Sequence, residues 1–575
     1  MKRILRLLLA IPLVASAERE LIWPDGKMPD AQPHQIAAMT DVSKKNEFNA
    51  DEWRHPYIEW FAPPQKPNGC CMILVSGGSY RNCCDVGLIR IWNERLSALG
   101  CQCVNFVYRT PWPEGMPFYA TAWQDAQRAV RVVRSEAQKR GFSPDRIGVM
   151  SMSAGSHLAT LMATSSMTPA YGKIDELDEA PCNVNLVCAF APAFAMTDGI
   201  GRPNTRQGAA IDVALDDCFK FDGATCPMCL LHGGRDIYSP NGSAEIYRNL
   251  HKRKIPAELH IVPDKGHGAH GFERAVEFMR RMGWFGELKK PVLLASRFTS
   301  DESRAVHAKE YLWPDGKIPD FDERQTVPYL EWHIPAKLTT KAALVVWSGG
   351  AYKSSSPKSF EVEPVRRYLN ERGMAVVTVD YRHPRPKPPL AKHTAAWQDA
   401  QRAIRIVKTE AKARGLDPER IGVMGSSAGG HLALMCATTS MSASYWPVDE
   451  MDKIPCDVQW AVCVYPAYVL SDGVNGPNKS RGDGTECNIA PEFAFDLSTC
   501  PALFLHGDAD GYSSMNSVKA WERMRRMGIQ SELHIMAKCA HGFMKAAPPG
   551  TGAYNWMDRI WNFLVAKGFV TEGRK

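Results

Sequence analysis

Beyond its first residues the chain has no apolar run approaching the ~20 residues needed to span a bilayer, which excludes a membrane-spanning helix and leads us to expect a soluble mature protein. An excess of one charge is missing as well. Lys and Arg number 69 against 62 Asp and Glu, a formal +7 that drops to +4 without Lys2, Arg3 and Arg6. So mild and dispersed a balance gives neither a nucleic-acid footprint nor a membrane-surface one. No cluster of His, Cys, Asp and Glu stands at metal-ligand spacing. Cys226-Pro227-Met228-Cys229 has the spacing of a redox motif, but the matching stretch later in the chain reads Cys500-Pro501-Ala502-Leu503, and a buried strand start accounts for both.

What is present is an ordinary globular composition, 45% hydrophobic and 23% charged, in a chain of 575 residues that is too long for one core. Its first 17 residues combine a basic start (Lys2, Arg3, Arg6), an apolar stretch from Ile4 to Val14 and the small-x-small pattern Ala15-Ser16-Ala17. They read as a cleaved export signal, so a secreted or periplasmic protein is expected.

The rest is one unit written twice. Leu21-Ile22-Trp23-Pro24-Asp25-Gly26-Lys27 recurs as Tyr311-Leu312-Trp313-Pro314-Asp315-Gly316-Lys317, and Trp123-Gln124-Asp125-Ala126 recurs as Trp397-Gln398-Asp399-Ala400. The first copy carries a polar insertion within residues 32–53 that reads as a surface loop. We expect domains over 18–288 and 310–575, joined by a linker at 289–309. In each copy continuous apolar runs such as Ala343-Leu344-Val345-Val346-Trp347 alternate with stretches of helical periodicity. That alternation specifies an α/β fold, a mostly parallel sheet with helices on both sides.

The stretch that organises each copy is a G-x-S-x-G between a β-branched run and helix formers, the strand-turn-helix context of a nucleophile elbow. In the second copy it is Gly425-Ser426-Ser427-Ala428-Gly429; in the first it is Ser151-Met152-Ser153-Ala154-Gly155, 274 positions earlier. Serine is a poor nucleophile and needs a base held by a carboxylate. Both copies supply these later, in the order acid then histidine. Asp510 and His541 serve Ser427, and Asp236 and His267 serve Ser153, all at the same 274-residue offset. Asp508 faces Gly234 in the other copy, which favours Asp510; His270 is the alternative to His267, which the ungapped alignment prefers. An oxyanion hole needs backbone N–H groups. One comes from Ala428 or Ala154, the residue after the nucleophile, and the other from Gly349-Gly350 or Gly77-Gly78, which follow an earlier strand.

The Trp-Pro-x-Gly opening, Ser-Gly-Gly-x-Tyr, Tyr-Arg (108-109, 381-382), Arg-Ile-Gly-Val-Met-x-x-Ser-Ala-Gly, His-Gly-x-x-Asp and Glu-Leu-His-Ile followed by His-Gly together resemble the bacterial α/β-hydrolases related to bifunctional acetyl-xylan and feruloyl esterases. The resemblance covers nearly the whole mature chain, once per copy. It implies two tandem α/β-hydrolase domains and an exported serine esterase acting on acylated carbohydrate, plant polysaccharide such as xylan, without a cofactor. The chain departs from the pattern at Ser151 and Ser156, where the second copy has Gly425 and Gly430, and at Ser79 and Ala351, where a third glycine is usual. The competing readings are a serine peptidase of the oligopeptidase kind and a carbohydrate-binding scaffold with an inactive first copy.

Of 17 cysteines only Cys182/Cys456 and Cys226/Cys500 repeat between the copies. Each adjoins the start of an apolar strand, and neighbouring strands lie within disulfide range. Two readings follow: bridges Cys182–Cys226 and Cys456–Cys500, or four buried thiols. Trp60, Trp332, Trp123 and Trp397 read as core residues. The stiff, basic segment Tyr381 to Pro389 reads equally as a wall of the pocket entrance or as an exposed connector.

Overall fold

The computed structural model describes residues 18–24, 27–35, 55–84, 86–196, 214–294, 303–305, 309–471 and 483–571. Residues 1–17, read from the sequence as an export signal, nearly all of the expected insertion at 32–53 and much of the expected linker at 289–309 lie outside them. The chain divides into two compact units, Met1–Val187 with Asp222–Ala224, and Cys188–Phe221 with Thr225–Lys575.

In the first unit Glu18–Leu21 runs antiparallel to Tyr57–Trp60, which runs antiparallel to Gln102–Val107. Gln102–Val107, Cys71–Val75 and Ile147–Met152 then lie parallel in that order. Every residue of Cys71–Val75 and Gln102–Val107 is buried, the reason these strands are apolar throughout rather than alternating. Helix Ala120–Ser135 buries Ala122, Ala126, Ala129, Val130 and Val133.

The second unit repeats that order and extends it. Successive neighbours in its sheet are Met228–Gly233, Ala257–Val262, Glu532–Met536, Ala502–Gly507, Trp460–Val464, Ile421–Ser426, Ala343–Trp347, Ala375–Asp380 and Tyr329–Pro335. All neighbours are parallel except Ala257–Val262 with Glu532–Met536 and Ala375–Asp380 with Tyr329–Pro335. Trp460, Val462, Leu503 and Leu505 pack with Trp556, Ile560 and Phe563 of the last helix in one core. No helix among the described residues is long and apolar enough to cross a membrane.

Three of the repeated motifs meet in one buried knot. Trp313 Nε1 donates to Asp399 Oδ1 at 2.8 Å, and the Arg382 backbone N–H and Nε donate to the same carboxylate at 2.7 and 2.9 Å. Both charged side chains are fully buried. Trp23, Arg109 and Asp125 build the same knot in the first unit. The motifs Trp-Pro-Asp-Gly, Tyr-Arg and Trp-Gln-Asp thus serve the fold, tying the first segment and a strand end to a helix. Trp60, Trp123 and Trp332 are buried as expected, while Trp397 is half-buried.

The four repeating cysteines are free thiols. Cys182 Sγ donates to Ser166 O at 3.2 Å and Cys456 Sγ to Ser440 O at 3.5 Å. The bridge reading is corrected by the strand register. Ala461 lies opposite Ala502, which sets Cys500 level with Gln459 and three residues out of step with Cys456. At ~3.3 Å per residue that offset exceeds the reach of a disulfide.

Where Ala257–Val262 pairs with Glu532–Met536, His260 and His534 face each other with their Nδ1 atoms 2.9 Å apart. Glu258 Oε2 lies 2.8 Å from His260 Nε2, and Glu532 Oε1 lies 2.5 Å from His534 Nε2. One Nδ1 donates and the other accepts, so the pair cannot be symmetric. Burial pushes Glu258 up to about 8 and Glu532 to about 7, against a partial counter-pull from Arg559 and Arg274, and it drives both histidines well below 6.5. The folded junction is therefore neutral, two carboxylic acids and two imidazoles.

Two outcomes are expected. Asp399→Ala leaves Arg382 buried without its partner and should cost about 3–5 kcal/mol in urea unfolding. For the junction, the sign follows from proton counts. Below pH 6.5 only the unfolded chain protonates the histidines, and above 4.5 only the unfolded chain ionises the acids, so the two effects cancel between these values. From 6.5 to 8 the acids alone act and stability is lost as pH rises. The double variant Glu258→Gln, Glu532→Gln should gain on the wild type over that interval; a constant difference in urea midpoint would refute a neutral junction.

Candidate active site

Ser427 stands between strand Ile421–Ser426 and helix Ala428–Thr438 with φ 55° and ψ −118°. That left-handed conformation is strained for a residue with a side chain, and it lifts the hydroxyl clear of the sheet. The turn closes because its neighbours are glycines. A Cβ on Gly425 would lie 2.0 Å from Gly429 O, and one on Gly429 would lie 2.5 Å from Ser348 O.

Ser427 Oγ lies 2.8 Å from His541 Nε2, and His541 Nδ1 lies 2.8 and 3.0 Å from the two oxygens of Asp510. With Nδ1–H donating to the carboxylate, Nε2 is left as an acceptor facing the hydroxyl. Asp510 is buried, which by itself would raise its pKa, yet hydrogen bonds from His506 and His541 hold it below the ordinary carboxylate value. The Tyr512 N–H donates to Asp510 Oδ1 at 2.8 Å. His506 is fixed by Ser517 Oγ and Tyr512 O at 2.8 and 2.9 Å, so the His-Gly-x-x-Asp motif contains the residue that braces its own acid.

In the first copy Ser153 lies in the first unit, Asp236 and His267 in the second. Ser153 holds φ 57° and ψ −123°, matching Ser427 within a few degrees. The two serines that replace glycines meet each other, Ser151 Oγ lying 3.1 Å from Ser156 Oγ. The second copy packs Trp347 against Gly425, whereas the strand position beside Ser151 is Val75, a smaller side chain. In the second unit His267 Nδ1 lies 2.9 Å from Asp236 Oδ2, which makes His267, not His270, the partner of the acid. His232 and Tyr238 brace Asp236 as His506 and Tyr512 brace Asp510.

The glycine strap passes close to each serine. A Cβ on Gly349 would lie 2.8 Å from Ser427 Cβ, and one on Gly77 would lie 2.9 Å from Ser153 Cβ. Gly350 (φ 110°) and Gly78 (φ 124°) turn the strap where a side chain would collide with a carbonyl. One expected donor is corrected. The Gly349 N–H is spent on Glu361 Oε2 at 2.6 Å, which leaves Gly350 and Ala428 as N–H groups beside Ser427 that have no partner among the described residues. Glu361 also accepts from Tyr465 Oη at 3.0 Å, and the Tyr465 ring lies 4.7 Å from His541. Comparison of the copies could not reveal this pair, because the first copy has Leu88, Ile89 and Ala191 in the corresponding stretches.

Tyr352 Oη lies 2.8 Å from His431 Nδ1, and Tyr80 Oη lies 2.8 Å from His157 Nδ1, so the histidine four residues past each serine anchors the strap tyrosine. His431 Nε2 reaches Glu492 at 3.2 Å and His393 stands beside it. His393, His431 and Glu492 could share an ion, as could Cys229, Glu258 and His260.

A family model, BD-FAE, matches residues 60–213 and again residues 330–466. The chain belongs to the BD-FAE family. Each matched stretch of this BD-FAE chain holds one glycine strap and one elbow serine, and ends before the acid and the histidine. With the family comes the fold, two tandem α/β-hydrolase domains, as the motifs led us to expect. An acetylxylan esterase of Xylanibacter ruminicola is 27% identical over 210 residues, 35% of this chain and 41% of that protein. A probable carboxylic ester hydrolase, LipM, of Mycobacterium tuberculosis is 31% identical over 219 residues, 38% of this chain and 47% of its own. The chain thus spans less than half the length of these relatives. An acetyl ester-xyloside bifunctional hydrolase from Caldicellulosiruptor lactoaceticus, a solved structure, aligns 97% of its length with 46% of this chain at 27% identity and a TM-score of 0.37.

Gly425→Ala should destabilise the chain by about 1–3 kcal/mol, because the added methyl meets both the Gly429 carbonyl and the Trp347 ring. A urea midpoint equal to that of the wild type would show that the elbow has slack.

Proposed function

We propose that this chain is an exported serine carboxylic-ester hydrolase that removes acetyl or feruloyl groups from plant polysaccharide such as xylan. The observation that carries the reading is the unbroken chain Ser427 Oγ, His541, Asp510 at hydrogen-bond distances. In the reading, Ser427 Oγ attacks the ester carbonyl while His541 Nε2 takes its proton. Asp510 holds the ring tautomer and stabilises the imidazolium. The Gly350 and Ala428 N–H groups, the latter at a helix N-terminus, receive the negative charge on the carbonyl oxygen. His541 returns its proton to the leaving alcohol, and water repeats the sequence on the acyl-enzyme. Ser153, Asp236 and His267 are proposed to work likewise in the first copy. The relatives' names supply the ester class, and residues 1–17 supply the export.

Ser427→Ala and Ser153→Ala are to be assayed separately on an aryl acetate, a feruloyl ester and acetylated xylan. Each should abolish its own site's share of turnover, a loss of about 10³-fold or more where that site dominates. The double variant should be inert; esterase activity surviving in it would refute the serine mechanism.

A further inference from the structure

The two copies hold the strap beside the nucleophile with different chemistry. In the first unit Trp112 Nε1 donates to Ser79 O at 2.7 Å. In the second, Arg385 Nε donates to the corresponding carbonyl, Ala351 O, also at 2.7 Å. Since a neutral indole makes the same bond, pinning the strap does not call for a charge. Arg385 nevertheless brings one. It is half-buried, its Nη2 reaches Tyr468 Oη at 3.2 Å, and no carboxylate among the described residues forms an ion pair with it. A guanidinium withdrawn from water without a counter-ion is costly, and it suits a planar carboxylate well.

The surroundings repeat the contrast. Lys392 Nζ lies 3.9 Å over the Tyr468 ring, and Tyr468 Oη lies 3.4 Å from Tyr512 Oη. The Tyr512 ring is 4.9 Å from that of His541, which carries this wall to the reacting serine. The carboxylate of the wall, Glu492, is engaged by His431 and His393. Where the second copy has Arg385 and Lys392, the first has Trp112 and Phe118, whose rings lie 5.8 Å apart.

The geometry points to a carboxylate-bearing ester as the substrate class of the Ser427 site, its carboxylate held by Arg385 beside Lys392, while the Trp112 and Phe118 wall of the Ser153 elbow takes neutral or aromatic groups. This deepens the esterase reading above and rests on it.

The test uses the full chain carrying Ser153→Ala and two probes that differ only in charge, 3-acetoxybenzoate and 3-acetoxybenzamide. The ratio of their kcat/KM values should favour the carboxylate and shrink as salt is raised. Arg385→Trp imports the first copy's own solution, keeping the pin and removing the charge. It should lower the ratio about tenfold, whereas Arg385→Lys should restore most of it. In the Ser427→Ala chain, Trp112→Arg should raise the ratio by a similar factor. A ratio that ignores Arg385→Trp, or that favours the neutral amide in the Ser153→Ala chain, overturns the inference and leaves the esterase reading intact. Hydrolysis of neither probe by that chain would remove both.

Discussion

A hydroxyl can stand clear of a parallel sheet only if the chain turns through the left-handed region at that residue, and much of this site is a consequence of that turn. The φ near 55° at Ser427 and Ser153 lets the next helix start at once, which in the second copy brings Gly429 O to 2.0 Å from where a Cβ on Gly425 would stand. It also aims the helix N-terminus at the space above the serine. The strap must then approach so closely that glycine is required at Gly349 and Gly77. Strand order suits the same need, for the elbow strand Ile421–Ser426 lies between the strap strand Ala343–Trp347 and Trp460–Val464, where pairing on both sides can hold a strained residue in place.

The two copies show that this geometry has more than one sequence solution. Gly425, Gly430 and Trp347 in one copy become Ser151, Ser156 and Val75 in the other, the bulk moving from strap strand to elbow while the serine dihedrals hardly change. Arg385 and Trp112 exchange a cation for an indole on the same carbonyl. Glu361 and Tyr465 fix the strap in one copy from positions that are aliphatic in the other. What is constant is the backbone path, and what varies is the chemistry that lines it.

Much of this was legible from the residues because catalysis and turns demand particular types at particular spacings. The elbow, the acid after one strand and the histidine after the next were placed by motif order and by the 274-residue offset, and His541 and Asp510 do meet Ser427. What the repeat could not show was anything carried by one copy alone, such as Glu361, whose capture of the Gly349 N–H removes an expected donor. Strand adjacency suggested disulfides, but adjacency without register is not proximity, and a three-residue stagger separates Cys456 from Cys500. The Trp-Pro-Asp-Gly and Tyr-Arg motifs, which the sequence showed only as recurring, form a buried ion pair with its indole. Repetition marks constraint, and a fold's locks are as constrained as its active residues.

The meeting of Ala257–Val262 with Glu532–Met536 bears on more than the histidines it buries. In each copy this is the last strand of the parallel run, the one whose outward N–H and C=O groups would otherwise face water as an open template for another chain. Joining the two edges to each other satisfies both at once, with the buried, uncharged His260–His534 contact replacing the lysines and prolines that guard free edges elsewhere. Duplication therefore gave this chain an intramolecular cap against edge-to-edge aggregation. It also removed its freedom to shed a copy, because a half cut away at the linker would uncover an unguarded strand with a histidine and a glutamic acid adapted to a dry interior.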